Sequence, residues 1–256
     1  MNKTALITGA SKGIGLEMAR LHASSKGNLV LTARSEKELL EIKSELEAQF
    51  PINVYVIAKD LSSPDAPKAL FDEIKRQHIE VDYLINNAGF GDYGYFSDTE
   101  WVRYRQMIDL NVSALTELCY LFGKDWKGRK PGKILNVAST AAFQPGPKMA
   151  VYFATKAYVL SFSEAVGQEL NKQGISVTAL CPGPTATYFM EDSRMKASGM
   201  VKRQKLPTPV QVAEYGYKAM LKGKAVAVHG TMNRVIANAN RFLPRKWVVK
   251  LTAKLL

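Results

Sequence analysis

The chain has 256 residues, 46% of them hydrophobic, which is ample for the core of one α/β domain or of two small ones. Its formal charge of +12 is uneven: residues 191–256 hold 14 Lys and Arg against three acids, or +11, so residues 1–190 carry only +1. No internal repeat, low-complexity tract or linker-like Pro/Gly/Ser run is present, which argues against a solenoid or a disordered chain and favours one domain.

Taken in chain order, apolar and β-branched runs predict strands near 3–8, 28–33, 53–58, 81–86, 132–138, 175–180 and 224–228. Helical periodicity fills the gaps near 14–26, 36–49, 65–78, 99–122, 150–172 and 209–222. This alternation predicts an α/β fold: a doubly wound parallel sheet of about seven strands with helices on both faces. In such a sheet the ligand site falls at the carboxyl ends of the strands. Residues 1–230 would form the single catalytic domain, and 231–256 a basic amphipathic helical extension. Met1-Asn2-Lys3 runs straight into the first strand, and no apolar run is long enough to span a bilayer. A cytoplasmic protein without a signal peptide is the expectation.

The first strand is followed at once by Gly9-Ala10-Ser11-Lys12-Gly13-Ile14-Gly15, which opens a helix. A glycine-rich turn in that position lets the backbone approach a pyrophosphate, which the free N–H groups and dipole of the helix then attract. The spacing is G-x-x-x-G-x-G instead of G-x-G-x-x-G. Further along, Tyr152 and Lys156 stand four residues apart, with Ser139 thirteen positions before the tyrosine. Residues i and i+4 share one helix face, so the ammonium can lie beside the phenol and favour its ionised form. A Tyr that normally titrates near ~10 could then exchange protons closer to neutrality.

Together these residues carry a resemblance. Thr8-Gly9-Ala10-Ser11-Lys12-Gly13-Ile14-Gly15, Asn86-Asn87-Ala88-Gly89, Asn111, Ser139, Tyr152-x-x-x-Lys156 and Pro182-Gly183 follow in the order and near the intervals of the short-chain dehydrogenase/reductase family. The similarity runs from about residue 3 to about residue 230. It implies a Rossmann fold, a nicotinamide dinucleotide cofactor and a small-molecule carbonyl or alcohol substrate. By this resemblance Asp60 and Leu61 border the adenine, and Asn87, Ala88 and Gly89 lie along the adenosine ribose. Thr185, after the Pro182-Gly183-Pro184 turn of the cofactor side, resembles the residue that hydrogen-bonds the nicotinamide carboxamide; the Pro182-Gly183 turn read alone is equally an ordinary turn. Read alone, Asn87 is equally a turn former.

Charge bears on the choice of cofactor. After the second strand there is no carboxylate of the kind that binds a ribose 2′-hydroxyl. Arg34 stands there instead and, with Lys12, offers two cations to a 2′-phosphate. NADP(H) is the expected cofactor. In carbonyl reduction, negative charge grows on the oxygen and a positioned acid must protonate it. Tyr152 would be that acid and Ser139 would donate a hydrogen bond to the substrate oxygen. The resemblance implies that Lys156 also holds the nicotinamide ribose and that Asn111 holds a water linking Lys156 to solvent. The alternative for Asn111 is a polar helix residue satisfied locally.

Candidate substrate walls are residues 90–96, 140–149 and 185–209, rich in Phe, Tyr and Met, with Met190, Met195 and Met200 in the last. Soft, apolar side chains suit a hydrophobic ketone or aldehyde, although a Met-bearing helix is also ordinary core. His22, His78 and His229 are scattered and Cys119 and Cys181 read as buried thiols, so no metal is expected. In the basic tail, Val235, Ile236, Ala239, Phe242 and Leu243 fall on one helical face, and Trp247, Val248, Leu251 and Leu255 on the next. Lys246, Lys250 and Lys254 recur opposite them. Residues 233–256 could touch an anionic membrane weakly, or pack on their own or a neighbouring subunit. Nucleic acid is disfavoured because no recognition motif accompanies the charge. A homodimer or homotetramer is expected from the family's two long helices. A catalytically silent NADP(H)-binding protein and a membrane-surface scaffold are the competing functions.

Overall fold

The structure, a computed structural model, describes residues 2–186, 206–240 and 242–256. Seven strands form one sheet in the order β3-β2-β1-β4-β5-β6-β7. They are β1 (Thr4–Thr8), β2 (Asn28–Thr32), β3 (Val54–Val56), β4 (Tyr83–Asn86), β5 (Gly132–Val137), β6 (Ile175–Cys181) and β7 (Val226–Val228). Every neighbouring pair is parallel. The expected doubly wound Rossmann architecture is present. The two edge strands, β3 and β7, are three residues each, shorter than the sequence predicts, because only one side of each has a partner to fix its register.

Alternate strand residues feed two cores. On one face Leu6, Leu84 and Ile134 pack with α3 (Ala66–Arg76), α5 (Leu115–Trp126) and α6 (Ala150–Asn171). On the other, Ile7, Ile85 and Leu135 pack with α1 (Gly13–Ser24), α2 (Glu36–Gln49) and α7 (Pro209–Leu221). The ends of α2 and α7 are set by hydroxyl caps. Ser35 accepts from the Glu38 N–H, and Thr208 with Gln211 forms a complete capping box ahead of Pro209. Cys119 and Cys181 are buried free thiols, both pushed up to about 12 by burial.

Two expectations need correction. The single helix predicted over 99–122 is α4 (Trp101–Ile108) joined to α5 through a π-helical turn, Asp109–Ala114. One wider turn leaves apolar periodicity almost intact, so the pattern hides it. In the tail, α8 (Thr231–Ala239) and α9 (Arg245–Leu255) form, but their buried line is rotated from the predicted face. Ala237, Val248, Thr252 and Leu256 are buried, while Val235, Ile236, Phe242, Trp247 and Leu251 are exposed. Thr252 can sit inside because its hydroxyl donates to Val248 O at 2.9 Å. Among the described residues no helix is long and apolar enough to cross a membrane.

His22 of α1 ties the amino-terminal strand to α7. Its Nε2 lies 3.0 Å from Lys3 O and its Nδ1 2.6 Å from the Tyr217 hydroxyl. The carbonyl can only accept, so Nε2 carries the proton and Nδ1 accepts from Tyr217. Burial lowers the His22 pKa below its ordinary 6.5. An unfolded chain therefore binds this proton more readily than the folded one, and stability falls as pH drops through 6.5. Thermal melting followed from pH 7 to 5 should show this fall, and His22→Asn should flatten it; an equal slope in the variant would contradict the assignment.

Candidate active site

Between β1 and β4 the chain's direction of winding reverses, so a crevice opens at their carboxyl ends. The glycine loop lines it. Gly9 and Gly13 take positive φ of 63° and 57°, a region that favours glycine. Space also demands Gly15: a Cβ there would lie 2.3 Å from Gly9 O and 2.4 Å from Asn87 Nδ2. No side chain caps the amino end of α1 and no acid occupies its first turn, which leaves backbone donors available to an anion. Ser11 and Ile14 are half-buried on the same loop.

Across the crevice the Asn87 side chain donates to Thr8 O and Gly9 O, both at 3.0 Å. Thr8 returns two bonds, its Oγ1 accepting from the Asn87 N–H at 3.0 Å and the Ala88 N–H at 2.9 Å. Thr8, Leu61, Ala88 and Leu110 line one hollow. Asp60 holds its own turn, accepting from the N–H and hydroxyl of Ser62. At the end of β2, Arg34 is exposed and carries no ion pair among the described residues. Lys12 differs from the expectation of a cation reserved for phosphate, because it pairs with Glu38 at 3.0 Å.

The second half of the site is built by β5, β6 and α6. Buried Lys156 donates from Nζ to Val137 O at 2.8 Å, and the same Nζ stands 5.8 Å from the Tyr152 ring centre. Tyr152 is 8% exposed and hydrogen-bonded to Ser139. Ser139 Oγ also accepts from the Ala141 N–H at 3.1 Å, which fixes it at the mouth of β5. Pro182 O accepts from the Thr140 N–H at 2.8 Å and so joins the loops after β5 and β6. Gly183 leaves room for Asn233, and Thr185 is buried with its hydroxyl on Gly183 O at 2.9 Å.

Asn111 sits in the π-helical turn with its side chain fully engaged. It donates to Phe90 O (2.9 Å) and Thr155 Oγ1 (3.1 Å) and accepts from the Phe90 N–H (3.1 Å). A Cβ on Gly89 would meet Asn111 Oδ1 at 2.9 Å and Lys156 Nζ at 3.4 Å, so these three positions share one corner of the crevice.

In the free protein burial sets the electrostatics of the pair. Burial, the dominant effect, pushes the Tyr152 phenol up to about 12, while its bond to Ser139 opposes this. Burial also brings Lys156 down to about 8. In the free protein burial thus favours the protonated phenol over the phenolate. Helix spacing puts the two residues together, but desolvation decides the sign.

An apolar cluster of Tyr104, Met107, Met149, Phe153 and Leu256 packs with Tyr152, and Phe90 and Tyr93 border it. Two of the expected walls, 90–96 and 140–149, therefore contribute. Most of the third lies outside the described residues, including Met190, Met195 and Met200. Sequence reasoning missed Leu256, whose backbone O accepts from the Tyr93 hydroxyl at 2.6 Å. It lies one residue beyond the apolar line predicted for the tail, so the pattern gave no signal. Thr8 was legible as part of the strand end, but not as the bracket of the loop.

The family model for short chain dehydrogenases matches residues 3–198. The chain belongs to the short-chain dehydrogenase family. It is 32% identical over 214 residues to an 11-beta-hydroxysteroid dehydrogenase of Pinus massoniana, covering 83% of this chain and 60% of that protein. A 7beta-hydroxysteroid dehydrogenase of Mediterraneibacter gnavus is 26% identical, with 90% of this chain and 86% of that one covered. The chain spans a third of the length of another relative, the mycobacterial probable oxidoreductase EphD, at 30% identity over 75% of this chain. Among solved structures, a short-chain dehydrogenase from Sphingobium yanoikuyae in complex with NADPH superposes with a TM-score of 0.84 at 28% identity, over 94% of each chain. A family protein from Burkholderia phymatum in complex with NAD shares the fold, with a TM-score of 0.84 at 24% identity over 100% of this chain and 96% of that one.

The loop bracket is directly testable. Asn87→Ala leaves Thr8 O and Gly9 O without their donor, and such losses destabilise by about 1–3 kcal/mol. A lower melting temperature is expected in thermal unfolding; an unchanged one would show that the glycine loop stands without Asn87.

Proposed function

We propose that this chain is an NADP(H)-dependent oxidoreductase that interconverts a carbonyl and a secondary alcohol, with a hydrophobic ketone or aldehyde as substrate. The observation that carries the reading is the buried Tyr152 hydrogen-bonded to Ser139, next to a Lys156 anchored on Val137 at the carboxyl end of β5. Relatives named as hydroxysteroid dehydrogenases support the substrate class.

The crevice suits a nicotinamide dinucleotide, because the glycine loop closes on Asn87 and Ala88 with no room for a Cβ at Gly9 or Gly15, and the amino end of α1 keeps uncapped backbone donors and no acid in its first turn. In that fit Gly9, Ser11, Lys12, Gly13, Ile14 and Gly15 hold the pyrophosphate at the open amino end of α1. Arg34 grips the 2′-phosphate. Asp60 and Leu61 border the adenine, and Asn87, Ala88 and Gly89 the adenosine ribose. Pro182, Gly183 and Thr185 receive the nicotinamide end. When bound, the dinucleotide supplies or accepts the hydride.

The chain's own residues manage the proton and the charge. Tyr152 holds a proton at neutral pH and delivers it to the carbonyl oxygen, with Ser139 donating a hydrogen bond to the same atom. Lys156, as a cation, supports the phenolate that remains and orients the cofactor ribose. Asn111, beside Lys156 in the π-helical turn, holds by its backbone the water through which the proton is replaced, its side chain being spent on Phe90 and Thr155. The apolar cluster from Tyr104 to Leu256 excludes bulk water and favours an apolar substrate body. Exposed Tyr120 on α5 and Tyr158 on α6 support a homodimer or homotetramer formed through those helices.

Three outcomes test the reading. Tyr152→Phe should lower NADPH-dependent ketone reduction by about 10² or more, the usual span of general acid catalysis being ~10²–10⁴; turnover near the wild-type rate would defeat the mechanism. Reductive kcat/KM should fall as pH rises through about 8, where Lys156 loses its charge; a profile flat to higher pH would remove Lys156 from the proton path. Arg34→Ala should weaken NADPH about tenfold or more and leave NADH untouched, since bonds to a charged group contribute ~1.5–3 kcal/mol; equal affinity for both cofactors in the wild type would reject NADP(H) preference.

A further inference from the structure

The tail leaves an apolar face that the enzyme reading does not use. Sixteen large hydrophobic side chains are exposed among the described residues, and seven of them lie between 232 and 251. Met232, Val235 and Ile236 form one stripe on α8, at spacings of three and four residues. Phe242, in the link to α9, is 86% exposed, and Trp247 and Leu251 stand one turn apart on α9 at 66% and 52%. Hydrophobic collapse would have buried such residues had the body of the subunit offered a surface. It covers only the opposite side of α9, through Val248, Thr252 and Leu256. The unburied stripe is therefore a feature of the folded subunit and not of an unpacked segment.

Charge decides what the stripe can meet. Residues 215–256 contain nine Lys and Arg and no Asp or Glu, and Lys246, Lys250 and Lys254 flank Trp247 and Leu251 along α9. A two-fold contact between copies sets the same patch against itself, which would oppose two uniformly cationic surfaces. An anionic bilayer surface offers the complement to both properties at once. Its headgroups attract the lysines, and its interfacial zone takes up Trp, Phe and Leu side chains from a helix lying in the plane.

We infer that the outer face of α8 and α9 docks the enzyme onto anionic lipid membranes. The inner end of the same helix, Leu256, packs in the cluster that contains Tyr152, so docking would bring the substrate side of the crevice close to the bilayer. An apolar carbonyl compound dissolved in lipid could then reach the site without crossing much water. The docking itself depends on the tail surface alone and stands or falls independently of the catalytic reading.

Vesicle flotation with the full chain tests it. At low salt the wild type should float with vesicles of phosphatidylcholine mixed with phosphatidylglycerol and stay behind with phosphatidylcholine alone. Raising salt to ~1 M, where screening shortens to ~3 Å, should release it. Trp247→Ala with Leu251→Ala, and separately Lys246, Lys250 and Lys254→Gln, should each cut the floated fraction about tenfold or more, because insertion and attraction both contribute. All these side chains are exposed, so melting temperatures should be unchanged. Failure of the wild type to float with anionic vesicles, or equal flotation with neutral ones, overturns the inference. So does a result in which the variants float like wild type, or only convert an oligomer to monomer in light scattering, which would assign the face to a second copy.

Discussion

One hydrogen bond organises the site. Lys156 reaches across from α6 to Val137 O, the last carbonyl of β5, and does so as a nearly buried cation. An ammonium removed from water is costly unless it finds an acceptor, and this carbonyl supplies one. The contact pins the second turn of α6 to the sheet end, which sets Tyr152, one turn earlier, against Ser139. It also leaves Nζ facing the corner that Gly89 and Asn111 keep open. The same burial that makes the bond necessary makes the phenol hold its proton, so position and chemistry come from one constraint.

The remainder of the crevice protects that arrangement. Thr8 and Asn87 cross-link the ends of β1 and β4 by four hydrogen bonds, so the glycine loop is held in shape by its neighbour strand rather than by its own turn residues. Asn111 does the same for the segment after Gly89 by clasping both backbone groups of Phe90. These bracketing bonds are local, directional and partly buried. A rigid crevice with backbone donors and small residues is what a long, flat dinucleotide requires, and the apolar cluster on the other side is shaped for something else.

Much of this was legible in the residues. The apolar strand runs predict the sheet because parallel strands buried on both faces leave little room for polar side chains. The glycine loop, Asn87, Ser139, Tyr152 and Lys156 all lie at strand or helix positions where topology alone brings them together. Other features escape sequence reasoning for definite reasons. The π-helical turn at Asn111 adds one residue without breaking apolar periodicity. Lys12 meets Glu38, a partner 26 positions away on another helix, so its charge cannot be counted from the loop alone. The direction of the Tyr152 shift depends on how deep the phenol lies, which no spacing encodes. The buried line of α9 is turned because Thr252 satisfies its own hydroxyl within the helix, so a residue that reads as polar can face the core.

Burial favours the protonated phenol until substrate and cofactor arrive. Labelling the tyrosine ring at Cζ with carbon-13 and titrating the free protein by NMR, with Tyr152→Phe to assign the signal, measures that state directly. The Tyr152 resonance should stay in the phenol form through neutral and mildly alkaline pH, with a midpoint pushed up to about 12. A midpoint near neutrality in the free protein would contradict it and restore the acidified phenol that helix spacing alone suggests.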